Sequence, residues 1–311
     1  MKLSTLLSPF VFVLAAKAAF GQSDPCLASA SDARDSCRLS AQSGYSLALA
    51  TCANESDPAK QATCRQNAQT ALQDALAVCD AQFSARQTIC GFLGGRGWDP
   101  EINPADFLDP TNIPIDKLNP YNPLKPGTTL VYQAHTTAGG LKENRVAFTH
   151  NTKTILGVTC LEVHDTVSVN GQLTEDTLDW FAQDKAGNVW YFGEDSEELS
   201  GGRVTSLEGS WMAGVDGAVP GIIMEANPKV GDAYRQELLF GVAEDFARVL
   251  SLDENVKVPV GTFDHCLETT ETSGLEPGAS EFKFYAPGVG VVFDNDVSGK
   301  EKDSLVNIIV E

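Results

Sequence analysis

The chain has 311 residues, 42 Asp and Glu against 22 Lys and Arg, a formal charge of −20 and 42% hydrophobic residues. That is material for one large domain or two ordinary ones, each able to bury a core. So acidic a chain repels phosphate backbones and anionic head groups, which excludes nucleic acid as a partner. With 8% aromatic and 21% charged residues, its body is not disordered by composition.

Residues 1–21 read as a signal peptide. Lys2 supplies the positive start, and Leu6 to Ala16 form an apolar stretch, interrupted by Ser8 and Pro9, too short to span a bilayer. Ala19 and Gly21 suit cleavage before Gln22, with Ala16-Lys17-Ala18 as a second candidate. Losing Lys2 and Lys17 takes the charge from −20 to −22. No later stretch approaches the roughly 18 apolar residues of a membrane span. The expectation is a secreted or periplasmic protein.

Eight cysteines fit an oxidising compartment. Six of them, Cys26, Cys37, Cys52, Cys64, Cys79 and Cys90, are spaced 11, 15, 12, 15 and 11, and opposite members sum to 116. A constant index sum is the mark of an antiparallel helical hairpin, because one helix climbs as the other descends. The centre falls at Pro58, after the turn and cap residues Asn54-Glu55-Ser56-Asp57. The flanking segments also repeat each other at an offset of 27, Cys37-Arg38 matching Cys64-Arg65 and Ala48-Leu49-Ala50 matching Ala75-Leu76-Ala77. Residues 22–93 are therefore expected to form an α-hairpin with nested disulfides Cys26–Cys90, Cys37–Cys79 and Cys52–Cys64. With no CxxC pair and no His between Cys26 and Cys90, zinc is not the expected staple. Asn54-Glu55-Ser56 is also a glycosylation sequon, meaningful only in a eukaryotic host.

Residues 94–127 hold seven of the fifteen prolines, several after Asn or Asp, and cannot form helix or central strand. They read as an extended connector whose apolar residues, among them Trp98, Ile102, Phe107 and Ile115, lie against a surface.

From residue 128 to 311 the pattern becomes short β-branched or alternating runs separated by Gly, Asn and Asp. Strands are expected over 129–137, 145–149, 157–169, 177–183, 189–193, 202–207, 234–239, 243–252, 261–272, 281–285, 289–293 and 305–310. Turns at Asn170-Gly171, 185–188 and Ser298-Gly299 join neighbours. The fold class is α+β, a stapled α-hairpin followed by a curved antiparallel sheet or half-open barrel. Cys160 and Cys266, each inside an expected strand, would form a fourth disulfide stapling the sheet.

Val258-Pro259-Val260-Gly261-Thr262-Phe263, with Tyr285-Ala286-Pro287-Gly288-Val289-Gly290-Val291-Val292, resembles a "VPxGTF … YAPGVGxV" pattern of exported bacterial β-domains. Those domains are similar to the lipoprotein-carrier (LolA-like) half-barrels. The stretch from Glu175 to Glu194 is similar to secreted bacterial proteins of the same kind. The likeness covers about residues 125–311. It implies a curved sheet with an apolar concave face, and brings no catalytic residues with it.

Several groups are candidates for chemistry. Two carboxylates sharing a strand face can act as acid and base, which singles out Asp176, Asp179 and Glu194, against the reading of an ordinary hairpin with solvated acids. Trp180, Trp190, Trp211 and Met224 are the candidate contacts for an apolar or flat aromatic ligand. Trp211 and Met224 fall in the Gly-rich segment 209–230, which reads as a lid or binding loop, or as a self-packed Ω-loop. Asp294, Asp296 and Ser298 open like an EF-hand loop, but Leu305 stands where the closing Glu is required. A polar hairpin turn is expected there, with calcium as the alternative. His164 and His265 could approach each other as a zinc pair if Cys160 and Cys266 were bonded; ordinary strand histidines are the default. No GxSxG elbow, P-loop or GxGxxG after a strand occurs, so no nucleotide cofactor is expected.

These features suggest a secreted binding protein holding a small molecule in a concave β-face. The alternatives are an extracellular carboxylate-dependent hydrolase or lyase, and a structural or adhesive surface protein whose hairpin is the interaction arm.

Overall fold

The computed structural model describes residues 24–297 and 301–311; the leader expected over residues 1–21 lies outside them. Helix α1 (Pro25–Ala53) starts on Asp24, whose carboxylate accepts the Leu27 N–H, and α2 (Pro58–Phe92) starts on Asp57 in the same way. Both helices open with proline, which has no N–H to leave unpaired. The three nested disulfides are present as the palindrome predicts, with Cα separations of 5.5, 5.8 and 5.5 Å.

The hairpin buries little. Cys26, Ala30 and Cys52 are the buried residues of α1, and Ala68, Cys79, Arg86, Ile89 and Cys90 those of α2. Without an apolar seam, the staples supply what packing does not. Only the foot of the hairpin meets the sheet. There Phe92 stacks on Phe246 at 6.0 Å, Arg248 lies 3.9 Å from the Phe92 ring, and Arg86 makes a doubled 2.7 Å bond to Glu244. Among the described residues, no hydrogen bond or ion pair joins residues 27–81 to the sheet, so the rest projects as an arm of about 35 Å.

The connector lies on the sheet through Trp98, Ile102 and Phe107, whereas Ile115, also expected against a surface, is 87% exposed in a 3-10 turn. It carries two short 3-10 turns (Pro104–Asp106 and Ile115–Lys117). Leu108 N–H donates to the Gln183 carbonyl, Trp98 Nε1 to the Pro220 carbonyl, and buried Asn119 to the carbonyls of Gly187 and Glu225.

Fifteen antiparallel strands follow: β1 (Thr128–His135), β2 (Leu141–Ile155), β3 (Val158–Val169), β4 (Gln172–Gln183), β5 (Val189–Ser200), β6 (Arg203–Ser206), β7 (Trp211–Met212), β8 (Val219–Met224), β9 (Ala233–Arg235), β10 (Glu237–Leu238), β11 (Asp245–Val258), β12 (Gly261–Ser273), β13 (Glu281–Ala286), β14 (Gly290–Asp296) and β15 (Lys302–Val310). Their order is β10-β8-β5-β4-β3-β2-β1-β15-β14-β13-β12-β11-β9, with β6 and β7 also on β5. The first and last strands pair at the centre of the path, Thr128 opposite Val310. At the far ends β9 pairs with β11 and β10 with β8, and the single residue Gln236 lies between β9 and β10. The chain thus steps from one edge of the sheet to the other, and the sheet is a nearly closed barrel. Gly221 fits against the backbone of Gln236, where a Cβ would have no room.

Three expectations are corrected. The segment 209–230 is not a free loop, because β7 and β8 extend the sheet from β5. The expected strand 234–239 is the two short strands astride Gln236. Cys160 and Cys266 are free, buried thiols rather than a disulfide. Their strands, β3 and β12, stand six places apart in the sheet order, and the two side chains belong to separate apolar clusters. Burial pushes the Cys160 thiol up to about 12, so it is protonated and inert at neutral pH.

Candidate functional site

The barrel interior has two unlike ends. One is filled by apolar side chains from opposite walls, including Leu130, Phe148, Val163, Val249, Leu267 and Leu305. Toward the other end the same strands turn polar. A cavity of about 280 Å³ lies between, walled by Phe148, Val163, Phe181, Ile223 and Val291 and by Lys142, Asn144, Asp165, Asp179, Lys283, Asp294 and Asp303. Tyr132 and Tyr285 also line it, the Tyr132 hydroxyl donating to the Val291 carbonyl at 2.8 Å. A second, wider space of about 830 Å³ shares Lys283 and is lined by Glu194, Glu198, Glu208, Glu237, Asp245, Glu271, Glu276 and Glu281.

The two cavity lysines are already spoken for. Lys283 lies 2.8 Å from Glu271, which also accepts from Tyr285 and Thr269. Lys142 lies 2.6 Å from Glu301 and 3.1 Å from Asp303. Burial opposes both charges, but Glu271 outweighs it and holds Lys283 well above the ordinary lysine value, while Glu301 and Asp303 push Lys142 up to about 12. Lys283 also lies 3.5 Å from Glu281, and among the described residues Asp165, Asp179 and Glu194 have no ion-pair partner. Burial first, then the charges of Asp179 and Glu175, push Asp165 up to about 7. Among the described residues, its Oδ1 has no hydrogen-bond partner.

Asp179 and Glu194 stand directly opposite each other on β4 and β5. Burial raises both to about 7, against the opposing effect of Tyr191. The Tyr191 hydroxyl donates to Asp179. Asp176 is not part of this group. It points to the opposite face of β4 and pairs with His164 Nε2 at 2.6 Å.

None of the four expected ligand contacts lines the cavity. Trp180 is buried among Val158, Cys160 and Ala182, with the Lys153 ammonium 3.5 Å over its ring. Trp190 packs against Trp98 and Phe107 and donates to Asp184. Trp211 is buried edge-on against Tyr191, and Met224 is fully buried in the core. The aromatics that do line the cavity are Tyr132, Phe148, Phe181 and Tyr285.

Asp294 faces the cavity, whereas Asp296 accepts the Glu301 N–H in the β14–β15 turn; Ser298 lies outside the described residues. Among the described residues, no three His, Cys, Asp or Glu side chains are grouped to hold a metal. His164 and His265 do not form a pair, since His265 bonds Asp253 at 2.6 Å in its own hairpin.

Sequence reasoning missed Lys142, Lys283, Asp165 and Asp303. For Asp165 a signal existed: Leu161, Val163, Asp165 and Val167 share one strand face, and a lone carboxylate on an apolar face marks a polar interior.

No family model and no curated protein matches the chain. Among solved structures, it is similar to a candidate exported protein with YmcC-like fold from Bacteroides fragilis NCTC 9343, at 16% identity and a TM-score of 0.34. It is also similar to a candidate lipoprotein from Parabacteroides distasonis ATCC 8503, at 12% identity and the same TM-score. Each match covers 61% of this chain and 99% of the other. The three disulfides fit a secreted or periplasmic location. No helix among the described residues is long and apolar enough to cross a membrane.

Proposed function

We propose that the chain is a secreted binding protein whose barrel holds a small amphiphile, its apolar part against Phe148, Val163 and Phe181 and a cationic end toward Asp165 and Asp179. The observation that carries this reading is the divided cavity, apolar on one wall and lined on the other by carboxylates whose only neighbouring lysines are already paired. An amine entering there gains a counter-charge in a low-dielectric space, where such a pairing is strong. The lipoprotein-carrier likeness of residues 125–311 is consistent with it, a curved sheet with an apolar concave floor. Titration with a series of primary alkylamines tests the reading. Hexylamine should bind saturably and raise the melting temperature, and Asp165→Asn should weaken it about tenfold. Binding of hexanol as tight as hexylamine, or none of either, would sink it.

A second reading, a carboxylate-dependent hydrolase or lyase, is favoured by the opposed Asp179 and Glu194, both poised near neutrality. A substrate screen in which Asp179→Asn and Glu194→Gln each abolish turnover but keep binding would establish it; turnover unchanged in both variants would remove it.

A further inference from the structure

A cleft of about 150 Å³ opens at the foot of the hairpin, between the first turn of α1 and the short strands β8 to β10. Ser29, Arg96, Trp98, Val219, Arg235 and Leu238 are among its lining residues, and no Asp or Glu lines it. In so acidic a chain this is a place of surplus positive charge.

Arg235, on β9, is only 3% exposed, and among the described residues its Nη1 has no hydrogen-bond partner. Among the described residues, the carboxylate acting on it through space is Glu244. That carboxylate is already engaged, since Arg86 bonds both of its oxygens at 2.7 Å and the Gly241 N–H adds a third bond. Arg86 itself repels Arg235. Burial, and then this neighbour, hold Arg235 below the ordinary arginine value, with Glu244 pulling the other way. A guanidinium stays charged at any physiological pH, so a buried one without a partner is a costly arrangement that an anion would relieve. Arg96 is exposed at the rim, its Nε donating to the Leu93 carbonyl and its two terminal nitrogens making no hydrogen bond among the described residues.

The other walls narrow the choice of anion. Trp98 spends its N–H on the Pro220 carbonyl and Ser29 its hydroxyl on the Pro25 carbonyl, so neither donates into the cleft. Val219 and Leu238 are apolar. Phosphate or sulfate would press unsatisfied oxygens against these walls, at the cost of an unpaired buried polar group. A carboxylate has two oxygens for two guanidinium forks, and an apolar substituent suits the rest.

We propose that this cleft binds a small organic carboxylate, with Arg235 and Arg96 taking its oxygens and Trp98, Val219 and Leu238 its apolar substituent. Isothermal titration of the full chain with acetate, butyrate, benzoate and inorganic phosphate tests it. Butyrate and benzoate should bind saturably and more tightly than acetate, and phosphate should give no saturable heat. Arg96→Ala, at an exposed position that tolerates change, should weaken benzoate about tenfold. Arg235→Met should abolish benzoate binding and, by removing an unpaired buried charge, raise the melting temperature in anion-free buffer. No saturable benzoate binding at millimolar concentration, phosphate binding as tight as benzoate, or benzoate affinity unchanged in Arg96→Ala would each overturn the assignment. Should Arg235→Met fail to fold, Arg96→Ala decides alone.

Discussion

The hairpin and the barrel reach stability by opposite routes. The hairpin has three disulfides and almost no apolar seam; the barrel has two free thiols, no disulfide and a continuous core drawn from both walls. A long two-helix arm cannot bury enough surface to order itself, so cross-links that restrict its unfolded state must do so. A barrel of this size needs none. The contrast shows that the even cysteine count answers two different demands rather than one.

Reduction should break the comparison most visibly. With a membrane-permeant or phosphine reductant, the helical far-UV signal of residues 37–79 should collapse while the β signal and barrel melting persist; equal loss of both would show that the arm supports the barrel. In the chain-entropy picture the bridges closing 12, 42 and 64 residues contribute about 3 to 4 kcal/mol each, and nested bridges are not additive.

The next effect lies at the joint. Arg86→Ala strands the fully buried Glu244 without its partner and should cost about 3–5 kcal/mol in denaturant unfolding. Replacing both residues by apolar ones of similar volume should restore most of that loss, because the pair's value is largely the cost of breaking it. A small loss in the single variant would mean the joint is wet.

A third effect separates the barrel from the hairpin by pH. Asp165, Asp179 and Glu194 titrate near 7 in the folded chain, against roughly 4 in the unfolded one. Between those values the folded state keeps protons that the unfolded state has released. Their contribution is therefore fully present below about pH 4 and is lost as the pH rises through about 7. Barrel melting should occur several degrees higher at pH 5 than at pH 8, with the reduced and oxidised chains shifting alike. A melting temperature that rises with pH over that range would contradict the buried, uncompensated state of these acids.

Much of this fold was legible from residue spacing. The palindrome fixed hairpin, centre and pairing because a helix couples index to height. Most strand positions followed from Gly, Asn and Pro punctuation, although twelve strands were expected where fifteen form. The Leu156-Gly157 turn was not legible, because a leucine at φ 50° is a conformation that sequence rules reserve for Gly and Asn. Segment 209–230 misled for a related reason, since its glycines suggested a loop while two short runs, Trp211–Met212 and Val219–Met224, found an open edge on β5. At the site, Asp179 and Glu194 were visible because one turn joins their strands. Lys142 and Lys283 were not, as they meet the acids only through a sheet whose first and last strands pair. The tryptophans drew notice as ligand platforms, yet Trp180 and Trp190 are used to seat the connector and the convex face.

The step at Gln236 has a consequence for the protein's life in a secreted or periplasmic setting. An open sheet of this length would end in two long rows of unpaired N–H and C=O groups, each a template for another chain. Here the outermost strands of the path are three and two residues long, belong to one continuous stretch of backbone, and lie beside each other. The closure leaves little edge on which a second molecule could add a strand, which protects a secreted chain from edge-to-edge aggregation.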